Sequence, residues 1–407
     1  MSKILQINSS CNRGSTGRIA EQIGRTAMER GYDCYMAYGR YYQPSSLKVI
    51  KMGGRWSNMF HVAISRVFDN HGLLSSGSTR NLIKQVQEIK PDIIHLHNIH
   101  GYFLNYRILF DYLIQSNIPV IWTLHDCWAF TGHCAYFDFA SCERWKTGCH
   151  PACPCKRGYP KSMLIDATEK NYRLKHDLFT SVEKMTLVPV SEWLGGIVKE
   201  SFLKKYPVKV IHNGIDLDKF KPTDDNGVLR EKYSLDGKRV LLGVASIWDE
   251  RKGLKEYIQL SKLLSDDIRI VLIGLTEKQI HTLPHNIIGL ACTENQQELA
   301  QWYTIADIVL NLSYEETFGM TTVEGFGCGT PGIVYNKTAS PELAYDGICK
   351  VVEAGNINQL NTTIIDMLRG DREEYRKACR KRAEEEYGME KTYSEYVDLY
   401  DSLLNRG

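Results

Sequence analysis

Residues 313–331 hold the densest chemistry in the chain. Glu316 and Glu324 stand eight positions apart, Phe318 and Gly319 lie between them, and Gly327, Cys328, Gly329, Thr330 and Pro331 follow. The apolar run at 308–312 just before them reads as a β-strand, which puts Glu316 in the loop at its carboxyl end. Gly319 marks the entry to a helix that includes Met320 and Thr321, and Glu324 lies one to two turns into it. A helix N-terminus presents free N–H groups and the positive end of a dipole, which suits a phosphate. Carboxylates accept hydrogen bonds from hydroxyls, so a sugar on one side of that phosphate and a ribose on the other fit the pair. Two glutamates at this spacing mean little alone; the glycine-marked helix entry between them gives the spacing its content.

Cys134, Cys142, Cys149 and Cys153 form a second constellation, with Cys155 just beyond. Four thiolates on one loop suit a tetrahedral structural zinc, with His133 and His150 as alternative ligands. Residues 132–160 are rich in turn formers and aromatics and show little periodicity, so they need a staple. The spacings are looser than those of paired Cys-x2-Cys sites, and free thiols, a disulfide or another metal stay open. The neighbouring Trp128, Phe130, Tyr136, Phe137, Phe139 and Trp145 read as a local minicore or as a contact for a lipid-linked molecule.

The elements that must position these groups alternate. Strands are expected at 4–7, 33–38, 92–96 and 120–124, and helices at 16–30, 57–68 and 80–89. A second series has strands at 209–212, 240–245, 268–273 and 308–312, an extended stretch at 331–335, and helices at 255–264, 297–305 and 321–326. Apolar strands separated by helical patterns imply parallel sheets covered on both faces. The expected fold class is therefore α/β: two doubly wound, Rossmann-like domains facing each other across a cleft, with ligands outside the carboxyl ends of the strands. The first domain spans 1–206 and carries a cysteine-rich loop at 127–160. The second spans 207–385. Residues 371–404 read as charged and helical, and Arg376, Lys377, Arg380, Lys381 and Arg382 as a solvated face.

The chain has 407 residues, with 50 Lys plus Arg against 48 Asp plus Glu, so no global field favours nucleic acid. Its apolar runs fall short of the ~20 residues a spanning helix needs. Residues 1–8 lack the apolar stretch of a secretory signal. A cytoplasmic setting follows, in which the twelve cysteines are reduced or metal-bound.

The Glu-x7-Glu block resembles the signature of the retaining glycosyltransferases of GT-B fold, the large glycosyl transferases group 1 family, and the resemblance covers almost the whole chain. Residues 210–216, with Phe220 and Pro222, are similar to the family's interdomain segment. Val244, Ala245 and Ser246, followed by Arg251, Lys252 and Gly253, resemble its phosphate-binding strand and loop. Gly14, Ser15, Thr16 and Gly17 stand where its glycine-bearing loop joins the first strand to the first helix. Residues 92–97 and 123–126 are typical as well. One departure stands out: many members carry an arginine on the strand before the lysine. Ser246 occupies that place here, which makes Arg251 the candidate for the second cation.

The resemblance implies a retaining, metal-independent transfer of a hexose-type sugar from a nucleotide-sugar donor to a hydroxyl of a saccharide acceptor, lipid-linked on a polyprenyl diphosphate. The setting would be bacterial surface-polysaccharide synthesis, peripheral to the inner face of the membrane. UDP is the commoner donor nucleotide in the family, and the side chains here do not distinguish it from GDP. In this reading Lys252, Arg251 and the helix after Gly319 stabilise the departing diphosphate. Glu324 holds the ribose and Glu316 the transferred sugar. Gly14, Thr16, Gly17, Ser246, Phe318, Met320 and Thr321 line the donor. His125 contacts the donor sugar or backs the reacting centre, Asp126 orients His125 or meets the acceptor, and His97 is an acceptor-side candidate or a structural residue. The base is expected near 286–291. The first domain would bind the acceptor, the second the nucleotide sugar, and 386–407 would be a C-terminal helix packed back on the first domain. No catalytic cofactor is implied. The rival readings are an inactive homologue acting as an assembly partner and a sugar-nucleotide epimerase of the same fold.

Overall fold

Short runs of Ile, Leu and Val, apolar at successive positions, form strands buried on both faces. The computed structural model describes residues 1–223, 227–345 and 347–405. It divides into two units, Met1–His212 with Thr392–Gly407, and Asn213–Lys391. The division falls after His212, six residues beyond the expected boundary.

Unit 1 holds strands β1 (Lys3–Cys11), β2 (Asp33–Tyr42), β3 (Lys48–Lys51), β4 (Ile93–Leu96), β5 (Val120–Leu124) and β6 (Met185–Pro189). They form one parallel sheet in the order β3-β2-β1-β4-β5-β6. Its helices are α1 (Gly14–Glu29), α2 (Arg55–Phe68), α3 (Ser76–Ile89), α4 (Tyr106–Ser116), α5 (Arg144–Thr147), α6 (Thr168–Phe179) and α7 (Glu192–Glu200). Every residue of β4, β5 and β6 is buried.

Unit 2 repeats the plan. Strands β7 (Arg239–Val244), β8 (Ile268–Ile273), β9 (Ile287–Leu290), β10 (Ile308–Asn311), β11 (Gly332–Tyr335) and β12 (Cys349–Val352) are parallel in the order β12-β11-β10-β7-β8-β9. Helices α8 (Val228–Lys232), α9 (Leu254–Leu260), α10 (Glu277–Ile280), α11 (Gln296–Ile305), α12 (Met320–Gly327), α13 (Ile357–Leu368) and α14 (Arg372–Arg382) cover it. In each sheet the strand order reverses once, beside β1 and β4 in unit 1 and beside β7 and β10 in unit 2. Ligands of doubly wound sheets sit outside the carboxyl ends of the strands at that point.

Three expectations change. Residues 209–212 do not form a strand. Lys209 N donates to Leu187 O (3.0 Å) and Ile211 N to Pro189 O (3.2 Å), but only Leu187 and Val208 form a bridge. Pro189 has no N–H to give, so the ladder stops there. The charged stretch at 371–404 is not one helix: α14 passes into a π turn at Ala383–Tyr387 and ends before Gly388. There Ile215 N donates to Tyr387 O (2.8 Å) and Met389 N to Ile215 O (3.0 Å), which diverts the backbone bonds that would have continued the helix. A new helix, α15 (Met389–Leu404), follows. From Thr392 onward it belongs to unit 1, where Tyr400 Oη meets His95 Nδ1 at 2.7 Å. Third, Gly14, Ser15, Thr16 and Gly17 are the first turn of α1, not a loop. Gly14, at φ +71°, turns the chain directly from strand to helix, a conformation without steric cost only for glycine.

Candidate functional site

The two loops that carry the chemistry of unit 2 leave the carboxyl ends of adjacent strands, β7 and β10. After β7, Asp249 caps a 3₁₀ turn at Glu250–Lys252, its Oδ1 accepting from Lys252 N at 3.2 Å. Gly253 closes the turn at φ +74°, and a Cβ there would stand 2.3 Å from Leu312 O. Only glycine lets this loop lie so close to the end of β10. Tyr314 N donates to Arg251 O (2.8 Å) and Tyr257 Oη to Leu310 O (2.6 Å), fastening the two segments together. As a result Lys252 Nζ forms an ion pair with Glu316 Oε1. Arg251 Nε lies 3.6 Å from Glu315 Oε2, and its Nη2 lies 3.5 Å from Asp249 Oδ2.

The backbone of Glu316 is fixed on both sides. Its N–H donates to Thr338 Oγ1 (2.8 Å) and its carbonyl accepts from Ala339 N (3.2 Å). Gly319, at φ +101°, then opens α12, and Met320 and Thr321 form the half-buried first turn. Glu324 follows on that helix, with Tyr303 Oη of α11 donating to its Oε2 at 2.8 Å. Burial, with the Glu324 charge beside it, raises the Tyr303 pKa well above its usual value, so the phenol stays a donor. Phe318 is buried against Tyr387, edge to face at 5.9 Å. Ser246 is exposed just past β7. The arrangement offers two cations, the carboxylates of Asp249, Glu315, Glu316 and Glu324, and a helix N-terminus at one sheet's switch point. The segment at 286–291, expected to lie near the base, forms the edge strand β9.

In unit 1 the carboxyl ends of β4 and β5 bring His97, His100, His125 and Asp126 around one small pocket with Asn98 and Trp128. Gln6 of β1 orders the protons here. Its Nε2 donates to Ala20 O (2.9 Å), so its Oε1 faces His97 Nε2 at 2.8 Å as an acceptor. His97 therefore carries its proton on Nε2 and accepts at Nδ1 from His125 Nε2, 3.2 Å away. Burial holds His125 down to about 4 and His97 well below its usual value, so both rings are neutral at pH 7. His100 Nε2 donates to Asp126 Oδ2 at 2.9 Å, and Trp128 N donates to Asp126 Oδ1 at 2.9 Å. Burial pushes the Asp126 carboxyl up, but the charge and hydrogen bonds of His100 and the Trp128 N–H outweigh it and hold the group below its usual range. Gly14 and Thr16 lie in the first turn of α1. Gly17 is pressed on β1, where a Cβ would stand 2.7 Å from Ser10 Oγ.

Known protein families match the chain over both units. The family described as "Glycosyltransferase Family 4" matches residues 16–219, and that described as "Glycosyl transferases group 1" matches residues 225–386. The chain belongs to the group 1 glycosyltransferases. A relative in Escherichia coli (strain K12), WcaC, named as a colanic acid biosynthesis glycosyl transferase, is 25% identical over 374 residues, 88% of this chain and 89% of that one. A D-inositol 3-phosphate glycosyltransferase of Mycobacterium sp. (strain KMS) is 26% identical over 161 residues, 37% of this chain and 36% of its own. Among solved structures, sucrose-phosphate synthase from Thermosynechococcus elongatus superposes with a TM-score of 0.73 at 14% identity over 100% of both chains. Anabaena Alr3699/HepE, solved with UDP and glucose, superposes with a TM-score of 0.67 at 15% identity over 99% of this chain and 100% of that one. These structures share the GT-B fold.

The cysteine loop of this glycosyltransferase lies in unit 1. Cys134, Cys142, Cys149 and Cys153 do line one small cavity with His150 and Trp145. Among the described residues, however, no group of three or more His, Cys, Asp or Glu side chains is placed to hold a metal ion. Cys153 instead forms thiol hydrogen bonds with Cys134 and Cys155, which lower its pKa. Cys149 Sγ accepts from Gly132 N at 3.3 Å. His133 lines the same cavity, its Nδ1 2.6 Å from Asp69 Oδ1 and its Nε2 buried without a hydrogen-bond partner. Phe130, Phe137 and Trp145 pack together as a minicore, with Phe137 and Trp145 stacked at 5.2 Å.

The sequence reading missed His100, Tyr303 and Thr338. His100 had a usable signal, since it stands just past the carboxyl end of a strand expected at 92–96. Tyr303 and Thr338 reach the glutamates from elements 21 and 22 residues away along the chain, and no local pattern marks them.

Proposed function

We propose that this glycosyltransferase moves a hexose-type sugar from a UDP-sugar to a hydroxyl of a lipid-linked saccharide, with retention, in surface-polysaccharide synthesis. The observation that carries the reading is the Lys252–Glu316 pair at the unit 2 switch point, beside the N-terminus of α12 and within one helix of Glu324. HepE was solved with UDP-glucose, and WcaC bears a polysaccharide assignment in its name; both lend the donor and the setting support.

In this reading unit 2 takes the donor. The barrier is mostly charge: a diphosphate leaves as an oxocarbenium-like centre forms. Lys252, Arg251 and the first N–H groups of α12 stabilise the leaving oxygens. Glu324, steadied by Tyr303, accepts from the ribose hydroxyls. Glu316 orients hydroxyls of the transferred sugar and keeps the Lys252 ammonium aimed. The two cations supply the charge a divalent ion would bring, so turnover persists in chelator. The departing phosphate takes the proton of the attacking hydroxyl on the same face, which preserves anomeric configuration.

Unit 1 takes the acceptor. Asp126, oriented by His100, accepts from an acceptor hydroxyl, and neutral His125 lends a polar edge without a charge. Calorimetric titration of UDP and GDP tests the donor reading. UDP is expected to bind in the micromolar range and Glu324→Ala to weaken it at least about tenfold, since a hydrogen bond to a charged group contributes roughly 1.5–3 kcal/mol. GDP binding in place of UDP would correct the base. Binding of neither would sink the reading.

A further inference from the structure

Helix α2 is inside out. Its inward face is polar: Asn58 Nδ2 donates to Gly39 O (2.6 Å), His61 Nδ1 meets Ser75 Oγ (2.8 Å) and Ser65 Oγ donates to Asn70 O (3.3 Å). Its outward face is apolar. Trp56 is 81% exposed, Met59 53% and Phe60 63%, spaced i, i+3 and i+4 as one stripe. A helix that helps to close a core does the reverse.

A second apolar segment adjoins the last turn of this helix. Met163 N donates to Arg66 O (2.7 Å) and Ile165 N to Val67 O (3.0 Å), and Met163, Leu164 and Ile165 are all exposed, Leu164 by 70%. Three adjoining large apolar residues out in water, beside three more on a helix, call for a partner.

The charge around the two segments says which. Lys51, Arg55, Arg66, Arg157 and Lys161 are exposed along them, and residues 44–68 and 144–165 contain no aspartate or glutamate. An apolar stripe with tryptophan and a rim of cations matches an anionic bilayer surface: the rings and aliphatic chains enter the headgroup boundary and the cations meet lipid phosphates. Among the described residues no helix is long and apolar enough to cross a membrane, so the contact lies in the surface plane. The same loop supplies Tyr159, whose Oη meets His100 Nδ1 at 3.2 Å, and His100 holds Asp126. The apolar face thus connects directly to the acceptor-side pocket.

We infer that α2 and residues 163–165 form a docking surface for an anionic lipid bilayer. The inference deepens the lipid-linked-acceptor reading by naming where the chain meets the membrane. The full chain, without nucleotide, is sedimented with vesicles of phosphatidylcholine alone or with roughly one third phosphatidylglycerol. Binding is expected to be at least about tenfold tighter to the anionic vesicles and to weaken in high salt. Trp56→Glu with Phe60→Glu, and separately Leu164→Glu, are expected to lose about tenfold or more while keeping the wild-type melting temperature, since these side chains are exposed. Absence of binding to either vesicle, or variants that bind as the wild type does, would overturn the proposal. So would concentration-dependent dimerisation that Trp56→Glu abolishes, because a second copy would then cover the face. Because vesicle binding is read without nucleotide, its failure leaves the UDP titration standing, and failure of that titration leaves vesicle binding standing.

Discussion

Buried histidine is the residue-scale signature of unit 1. Burial lowers His61 and His125 to about 4 and His95 to about 3, and holds His71 and His97 well below their usual value. In the unfolded chain these rings titrate near ~6.5. Between about pH 6.5 and pH 4 the unfolded state therefore binds more protons than the folded state, so stability falls as pH falls through that window. Above it neither state is protonated and the histidine contribution is complete. His125 alone accounts for about 3 kcal/mol at the acid end, at ~1.36 kcal/mol per pKa unit. Calorimetric scans are expected to show unit 1 melting earlier at each step below about pH 6.5. A transition that holds its temperature down to about pH 4.5 would mean the rings are not buried neutral.

At the scale of elements, the positions of Lys252 and Glu316 are set by two strand ends and one glycine. Gly253→Ala forces a side chain into a left-handed backbone and against Leu312 O. The expected cost is about 1–3 kcal/mol, together with weaker UDP binding as Lys252 shifts. Gly237→Ala is the control, because Gly237 has a similar φ of +67° but open space around its missing Cβ. Thermal unfolding and UDP titration of both variants decide the matter: equal losses would show that the close approach to β10 has no part in holding the loop. Helix α2 makes a different point about elements. Its periodicity reads correctly as a helix, yet which face turns inward is decided by the polar groups at Gly39, Ser75 and Asn70.

At the scale of the whole molecule, the chain returns to unit 1 after completing unit 2. Tyr393, Tyr396, Val397 and Tyr400 of α15 are buried there. Tyr396 accepts from Thr123 Oγ1 at 3.4 Å, and Asp398 pairs with Arg30. Truncation after Lys391 removes these buried side chains, with Thr392 and Leu399, and strips the Tyr400 hydroxyl from buried His95. At ~1.5–3 kcal/mol per large apolar side chain, unit 1 is expected to lose on the order of 5 kcal/mol or more. Its calorimetric transition should fall sharply or disappear. An unshifted transition would show that α15 contributes no stability despite its burial.

The sequence by itself determined the local elements and the family. Alternating apolar runs and helical patterns specify parallel strands buried on both faces, and the Glu316–Glu324 block around Gly319 marks the loop and helix after β10, because these signals depend on neighbours along the chain. Only the tertiary structure decided the rest. Pro189 ends the ladder that 209–212 would have joined, Ile215 breaks the C-terminal helix at Gly388, and Gly14 starts α1 where a loop was expected. It also brings Tyr303 to Glu324, Thr338 to Glu316 and His100 to Asp126. Those pairings join residues from separate strand ends and helices, and their distances are fixed by how the sheets are ordered. A periodicity carries no record of that order.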